Sequence, residues 1–431
     1  MLFEEPRAKA IHGIKVGRYL ATALQEQSDV ILNDDQLAKV FVNKETGEVL
    51  QQGDLMVRPD LAATFARIAK IGPSMMYDGK WHHKLAAEIQ AAGGIVTADD
   101  IAAYRPRVYD ALEMDIAGLG ATMYGVRPPG SGALLGFMLN VMSGFTDMYP
   151  DAKASPETAG LYYHRLVETF KFAYARRMQL GDELYDDVTK VMAELTSPEF
   201  ADKIRDKIDD EKTYFDPSHY GFDQWMDTDH GTAHMNVIDS DGNAVACTTT
   251  INIYFGSKVM SPSTGILFNG QMDDFSSPNI TSAFHVPPSP FNHIAPGKRP
   301  QSSMTPAVFV DKLTRRPLMV IGAEGGTQIT TAVASTVLRT LMFHDSIKTV
   351  IDAPRIHDQL FPFTTIVEKF FPAYLRTSLE QRNRMLGIQE DIHVKQEGSI
   401  VNAIHCVKGD NGTQIIYANS DYRKVGSVDG Y

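Results

Sequence analysis

Apolar residues recur at helical spacing through much of the first half of the chain. A helix is predicted after Arg58, because the apolar residues that follow fall on one face at spacings of three and four: Leu61, Phe65, Ile68 and Ile71. TADD at 97–100 has the form of a capping box that starts another helix. Ser155 and Pro156 predict a cap and a first-turn proline before a long helix, whose aromatic stripe we assign to the core. The apolar run 132–145 also predicts a core helix.

The pattern changes to strand-like alternation after Asp227. Residues 233–239 alternate between apolar and polar, SDG at 240–242 is typical of a turn, and 244–251 are rich in β-branched side chains, which together predict a hairpin. A strand at 318–321 leads through glycines into a helical pattern that reaches Leu341. We expect the charged stretch 202–212 to be a solvated helix face. Mixed elements in this order favour an α+β class with layered helices and sheets.

The predicted hairpin places two hydroxyl side chains opposite each other. Folding about Asp241 sets Thr232 across from Thr250, with Asn252 just beyond the pair. A hydroxyl on the first residue of a strand, facing a second hydroxyl, suits a catalytic pair. An ordinary cross-strand threonine contact is the commoner meaning of this arrangement. Both interpretations stay open on the residues alone.

Three further segments carry candidate chemistry. EGGT at 324–327 lies between a strand and a helix, where backbone N–H groups could stabilise an oxyanion, or where the glycines could simply allow a tight turn. Ser302 and Ser303 offer two hydroxyl donors in a proline-rich stretch. QMDDF at 271–275 places an amide beside two carboxylates, which suits an ammonium group, although surface loops have similar compositions.

Composition excludes several classes of protein. The chain has 431 residues, is 43% hydrophobic and 22% charged, and has a net charge of -12, so a soluble globular protein is indicated and a nucleic-acid partner is not. Apolar runs are too short to span a bilayer, and the first residues lack the features of a signal peptide. Cys247 and Cys406 allow at most one bridge, and their number does not decide the compartment. Acceptor sequons start at Asn279 and Asn411.

Several familiar catalytic motifs are missing from the sequence. It contains no P-loop, no G-x-S-x-G, no H-E-x-x-H and no paired C-x-x-C, and its histidines have no ligand-like spacing. We therefore expect neither a metal site nor a cofactor.

Taken together, the candidate segments resemble one family, the γ-glutamyltransferases or glutathione hydrolases, which are N-terminal nucleophile hydrolases. The resemblance rests on ordered strings along most of the chain: GGIVTADD at 93–100, FAYARR at 172–177, GTAH at 231–234, TINIYFGSK at 250–258, GILFNGQMDDFSS at 265–277, QSSM at 301–304, GGTQ at 325–328 and SDYRK at 420–424. It is nearest to the animal enzymes. These strings are long and specific.

The resemblance implies a self-cleaving precursor. The Gly231–Thr232 bond would be cut, leaving 1–231 as the large subunit and 232–431 as the small one, intertwined in one structural domain. Thr232 would then be the nucleophile, supported by Thr250. The freed α-amine, with a pKa of about 7.7–8.0, would serve as its base.

The resemblance also assigns the substrate contacts. The α-amino group of the substrate would be held by Asn252, Gln271 and Asp274, and its α-carboxylate by Ser302 and Ser303. Gly325 and Gly326 would form the oxyanion hole. The γ-glutamyl group of glutathione or its conjugates would pass to water or to an acceptor amino acid or dipeptide in a ping-pong reaction.

The fold implied is a four-layer αββα sandwich with its front part missing. That front part would hold the membrane anchor or signal segment, and an arginine for the substrate carboxylate that no residue here replaces. The family places such enzymes, as glycoproteins, on the extracellular face of the plasma membrane. Gln271 stands where animal enzymes usually have glutamate, and Glu324 where a small residue is usual.

Two other functions are consistent with the sequence. The chain could be a shortened, non-catalytic member that keeps the motifs with an incomplete core. It could also be a related acylase that acts on another amide, such as a β-lactam side chain. The amino-acid-binding sets favour the γ-glutamyl substrate over that acylase.

Overall fold

A computed structural model describes residues 2–150, 155–221, 232–277, 289–389, 398–409 and 413–430. These residues divide into two compact units, one of Met1–Asp110 with Ile251–Gln271, and one of Ala111–Thr250 with Met272–Tyr431. Gly231 and the acceptor asparagines, Asn279 and Asn411, lie outside the described residues. Among helices of the described ranges, none has the length and apolarity that crossing a bilayer requires.

The first unit is mainly helical. Its elements are α1 (Glu4–His12), β1 (Ile14–Lys15), α2 (Arg18–Glu26), α3 (Ser28–Leu32), α4 (Asp35–Phe41), β2 (Leu55–Met56), α5 (Pro59–Ile71), α6 (Ser74–Tyr77), α7 (His82–Ala91) and α8 (Ala98–Ala103). The predicted helix after Arg58 is confirmed as α5, which ends before Gly72. The predicted capping box is confirmed at α8, where the Thr97 hydroxyl accepts from the Asp100 N–H and the Asp100 carboxylate accepts from the Thr97 N–H.

The second unit begins with strands and continues with the longest helices. Its first elements are β3 (Leu112–Ile116), β4 (Ala121–Gly125), α9 (Gly132–Met142), α10 (Pro156–Arg177), α11 (Thr189–Thr196), α12 (Pro198–Arg205), β5 (Thr232–Ile238), β6 (Ala244–Thr250), β7 (Ala307–Asp311) and β8 (Pro317–Glu324). Helix α10 is capped as predicted, because the Ser155 hydroxyl accepts from the Thr158 N–H at 3.1 Å.

The remaining elements complete this unit. They are α13 (Gln328–Val337), which continues as a short π-helix (Leu338–Met342), α14 (Ile347–Asp352), β9 (Ile356–His357), β10 (Thr365–Glu368), α15 (Ala373–Glu380), β11 (Leu386–Gln389), β12 (Ile400–Lys408) and β13 (Gln414–Ser420). Strands β11, β10 and β9 form a small sheet. A six-stranded antiparallel sheet has the order β13-β12-β8-β7-β4-β3.

Strand β8 is buried on both faces, which explains its nearly continuous apolar sequence. Met319, Ile321 and Ala323 point into the large core that the helices share with the sheet. Val320, on the opposite face, packs against side chains of the β5–β6 hairpin. Helices, sheet and hairpin are therefore three successive layers within this unit, in agreement with the predicted α+β sandwich.

The charged stretch 202–212 differs from the prediction of a solvated helix face. Helix α12 ends at Arg205, and the acidic residues that follow bind buried groups of α10. Asp210 pairs with the Arg165 guanidinium at 2.7 Å, and the Asp209 carbonyl lies 2.8 Å from Nε2 of His164. The Asp210 carboxylate therefore compensates the charge that Arg165 carries into the interior.

Candidate active site

The β5–β6 hairpin has the predicted register. Thr232 pairs with Thr250 and every following pair is in step, up to Ile238 with Ala244. The two threonine hydroxyls are 3.2 Å apart, with Thr232 donating to Thr250, and only 5% of the Thr232 surface is exposed. A buried hydroxyl on the first residue of the strand is thus held by a second hydroxyl.

Alternation along β5 directs Thr232 and His234 towards the six-stranded sheet. The His234 imidazole lies against Gly322, where a β-carbon would collide with the ring. Its Nδ1 is 2.8 Å from the Thr248 hydroxyl and its Nε2 is 2.9 Å from Oδ1 of Asn236. Burial lowers the pKa of His234 to about 4, so the ring is neutral at neutral pH.

Side chains of β12 hold the hairpin on the sheet. The Asn402 amide donates to the His234 carbonyl at 2.8 Å, and the Asn236 amide donates to the Asn402 carbonyl at 2.8 Å. These reciprocal bonds fix the distance and direction at which β5 crosses the sheet.

Gly325 and Gly326 follow β8 and precede α13, as the sequence predicts. Both have positive φ, at 118° and 57°, and a β-carbon on Gly325 would collide with the Gly398 carbonyl. Their carbonyls accept from the N–H groups of Gln328 and Ile329 at 3.1 Å each. The turn after β8 therefore requires glycine at these positions.

Thr327 anchors the end of this glycine turn. Its hydroxyl donates to Oε1 of Gln359 at 2.7 Å, and the Tyr174 hydroxyl donates to its carbonyl. Gln359 is in turn 3.0 Å from Nε2 of His357, a buried ring whose pKa is lowered by desolvation. The turn is supported by uncharged groups.

Glu324, the last residue of β8, is 2% exposed and forms an ion pair with Lys424. Burial raises the pKa of this carboxyl to about 7, and the ammonium of Lys424 opposes the rise. Its second oxygen, Oε1, is buried with no hydrogen-bond partner among the described residues. The Lys424 ammonium thus balances the charge of the carboxylate that precedes the two glycines.

Ser302 and Ser303 lie in an extended segment between two anchors. The Ser302 N–H donates to the Pro129 carbonyl at 2.9 Å, and the Ser131 hydroxyl donates to the Ser302 carbonyl at 2.8 Å. Ser303 is 3% exposed, and its hydroxyl oxygen accepts from Nη2 of Arg177 at 3.0 Å. The sequence analysis did not predict this contact of Arg177, which ends α10. The signal for it was an arginine at the end of an aromatic helix assigned to the core.

Asp274 ends a short 3₁₀-helix, Gln271–Asp274, and its carbonyl accepts from the Asn292 amide at 2.7 Å. Asn252 and Gln271 belong to the first unit. Asn252 is 1% exposed, has a positive φ of 78° and donates through Nδ2 to the Gly270 carbonyl at 3.1 Å. The Gln271 N–H donates to the Asn269 side chain at 3.0 Å.

Both cysteines are free thiols, with Cys247 exposed and Cys406 buried. No group of three or more potential metal-ligating side chains occurs within the parts of the chain that the structure describes.

Comparison with known proteins decides the family. The family model described as gamma-glutamyltranspeptidase matches residues 1–431. This chain belongs to that family. The resemblance inferred from the sequence strings is therefore confirmed.

Relatives from distant organisms align along the chain. A Scolopendra dehaani protein named scoloptoxin SSD14 is 43% identical over 432 residues, which cover 100% of this chain and 72% of the relative. Glutathione hydrolase 2 of Arabidopsis thaliana is 37% identical over 445 residues, covering 99% of this chain and 73% of the relative. Similarity at this level extends through both units.

Solved structures agree on the fold. Cephalosporin acylase from Bacillus halodurans superposes with a TM-score of 0.79 at 22% identity, covering 99% of this chain and 74% of that one. At this identity the comparison establishes the N-terminal nucleophile hydrolase fold and leaves the substrate to other observations.

Proposed function

We propose that Thr232 is the nucleophile of a two-step acyl transfer in which the chain cleaves the γ-glutamyl amide of glutathione and its conjugates. Family membership makes the chain a γ-glutamyl hydrolase and transferase, and the match along its whole length favours this over a non-catalytic member. The observation that carries the residue assignment is the buried Thr232 hydroxyl, bonded to Thr250 on the first residue of β5.

Activity requires cleavage of the Gly231–Thr232 bond, which separates a large subunit, 1–231, from a small one, 232–431. Before cleavage, the Thr232 nitrogen is an amide and cannot accept a proton. Afterwards it is an amine that takes the hydroxyl proton as Oγ1 attacks the γ-carbonyl. The proton then passes to the departing cysteinylglycine amine, and the γ-glutamyl group remains on Oγ1 as an ester.

The second step transfers that γ-glutamyl group to water or to an acceptor amino acid or dipeptide. Gly325 and Gly326 would stabilise the oxyanion in both steps through backbone N–H groups, because the required positive φ values turn the peptide units at the start of α13. Thr250 would orient the nucleophile before each attack.

The amino-acid head group of the substrate would be held at both its charged ends. Asn252, Gln271 and Asp274 would bind the α-ammonium, and a carboxylate such as Asp274 provides the stronger, charge-assisted bond. Ser302 and Ser303 would donate to the α-carboxylate. Arg177 supports this role, since its N–H bond occupies a lone pair of Ser303 and leaves the hydroxyl proton available for an acceptor.

We also propose, on the family resemblance, that the enzyme works at the extracellular face of the plasma membrane. Occupied glycans at Asn279 or Asn411, detected by a mass decrease after enzymatic deglycosylation of protein from its native source, would support this location.

The test is turnover of a γ-glutamyl anilide by the wild type and by Thr232→Ala. Thr249→Ala is the matched control, because Thr249 is on the partner strand β6 of the same hairpin with its side chain exposed. We expect no turnover by Thr232→Ala and wild-type turnover by the control. Equal activity of Thr232→Ala would overturn the assignment, and preference for a glutaryl over a γ-glutamyl substrate would favour the alternative acylase.

A further inference from the structure

Glu324 is a buried carboxylate that uses only half of its hydrogen-bonding capacity. One oxygen pairs with Nζ of Lys424, whereas Oε1 contacts no hydrogen-bond donor among the described residues. A buried carboxylate oxygen without a donor is costly, because it loses its hydration and gains no hydrogen bond in return. Such an oxygen points to a donor that the described residues of the uncleaved chain do not supply.

Contacts along the hairpin locate that donor. Ile238, at one end of β5, packs in the cluster of Val320 and Ile404. His234, nearer the start of β5, lies against Gly322 and is bonded by Asn402. The contacts therefore advance along β8 as β5 is followed back towards its first residue.

The next residue of β8 on this face is Glu324, and the next residue of β5 on its inward face is Thr232. Glu324 also pairs across the sheet with Ile400, as Gly322 pairs with Asn402. Thr232 and Glu324 are both buried, at 5% and 2% exposure. The progression of contacts directs the carboxylate to the end of the hairpin where the nucleophile begins.

We propose that Glu324 is a positioning residue for the terminal amine of Thr232, with its unpaired oxygen accepting a hydrogen bond from the amine that chain cleavage releases. This inference rests on the proposed role of Thr232. The bond turns the amine so that its lone pair faces Oγ1 of the same residue. When the amine takes the hydroxyl proton, the adjacent carboxylate stabilises the ammonium that forms, and it is never itself consumed or bonded to substrate.

Charged groups around Glu324 determine the pH at which its carboxyl is ionised and can position the amine. Lys424 on the C-terminal segment favours the ionised carboxylate, whereas Asp421 opposes it and is itself paired with Arg355 and Arg423. On the hairpin, His234 is uncharged at neutral pH. Because burial raises the pKa of Glu324 to about 7, the side chain carries the negative charge that stabilises the ammonium above that pH and is neutral below it.

The experiment is the pH profile of kcat for cleaved protein, compared between the wild type and Glu324→Gln. In the wild type both the amine and Glu324 must be deprotonated. A plot of log kcat against pH should therefore approach a slope of two below pH 7. Removing the negative charge lowers the pKa of the amine. In Glu324→Gln, the fall of kcat on the acid side of the profile should therefore occur about one pH unit lower and have a slope of one. At higher pH, kcat should reach a plateau about tenfold below the wild type, with unchanged KM.

Lys424→Met gives an independent prediction with the carboxylate retained. Without its ammonium partner the Glu324 carboxyl stays protonated to higher pH, so this variant should lose activity at pH 7 and recover it at higher pH. Glu113→Gln, an exposed residue on β3 of the same sheet, is the matched control and should keep the wild-type profile. Thermal melting of each variant identifies any that fail to fold.

The outcomes separate this inference from the proposed function. Glu324→Gln should still release a fragment starting at Thr232, since no amine exists before cleavage. If the wild type turns over and Glu324→Gln keeps its kcat and acid limb, the role of Glu324 is refuted while that of Thr232 stands. If Lys424→Met keeps the wild-type profile, the role of Glu324 is likewise refuted. If the wild type never cleaves, both proposals fail together.

Discussion

At the scale of single residues, the site depends on hydroxyls whose protons are directed by neighbours. Thr232 donates to Thr250, and Arg177 donates to Ser303. Each neighbour occupies one position around a hydroxyl oxygen and so determines where its proton can point. The residues next to the proposed contacts are therefore as informative as the contacts themselves.

Thr250→Val should lower kcat about tenfold with little change in KM, because a net hydrogen bond of about 1.4 kcal/mol to the nucleophile is lost. Thr250→Ser keeps the hydroxyl and should retain most of the activity. Steady-state kinetics on a γ-glutamyl anilide measures both variants. Equal kcat for the valine and serine variants would exclude an orienting role for this hydroxyl.

Arg177→Met should raise KM about tenfold and change kcat much less, because Ser303 would lose the donor that orients its hydroxyl towards the substrate carboxylate. Arg176→Met is the control, since Arg176 pairs with Glu194 instead. An unchanged KM in the folded Arg177 variant would contradict the proposed carboxylate contact.

At the scale of elements, helix α10 brings Arg177 to the site and depends on its first turn. Ser155 caps that turn, and loss of such a cap costs about 1 kcal/mol. Ser155→Ala should lower the melting temperature without altering KM. Ser427→Ala, in the exposed tail, should leave both the melting temperature and KM unchanged. A melting temperature equal to that of the wild type would show that the cap contributes nothing.

Local elements were predictable because their signals are local. Proline and serine at the start of α10, the capping box of α8 and the turn chemistry after β5 are encoded within a few residues. The register of the hairpin followed from its turn, and so did the Thr232–Thr250 pair. Such features depend on backbone geometry that nearby residues determine.

Partners far apart in the chain were not predictable in the same way. The acidic stretch after α12 has the charge pattern of a solvated surface, yet Asp210 binds Arg165 of α10. Likewise, nothing near Glu324 in sequence indicates Lys424, which is supplied by the segment after β13. Charge pattern reports the sign of a side chain, whereas the partner is set by tertiary packing.

At the scale of the whole molecule, buried ion pairs make stability depend on pH. Burial alone would raise the pKa of Asp421 and of Glu168. Arg355 and Arg423 lie around Asp421 and lower its pKa below the ordinary value. Arg384 and Lys171 do the same for Glu168. A carboxyl whose pKa is depressed by folding stabilises the fold above its unfolded pKa of about 4, and this contribution is lost as pH falls through the folded value.

The contribution of these two carboxyls to the free energy of unfolding should therefore be constant from pH 7 to about pH 5 and decline steadily below about pH 4. Denaturant titrations at pH 7, 5, 4 and 3, with enzyme prepared in a single cleavage state, measure this dependence. A free energy that is the same at pH 3 and pH 7 would contradict the assignment of depressed pKa values to these carboxyls.

Formation of the nucleophile by chain cleavage is the central claim, and intact mass spectrometry of purified protein during incubation tests it most directly. We predict two polypeptides, 1–231 and 232–431, with the smaller gaining the mass of one γ-glutamyl group when acyl-enzyme is trapped with substrate. Thr232→Ala should stay a single chain and gain nothing. A wild-type protein that turns over substrate as one intact polypeptide, or that carries the group on the larger fragment, would contradict the account.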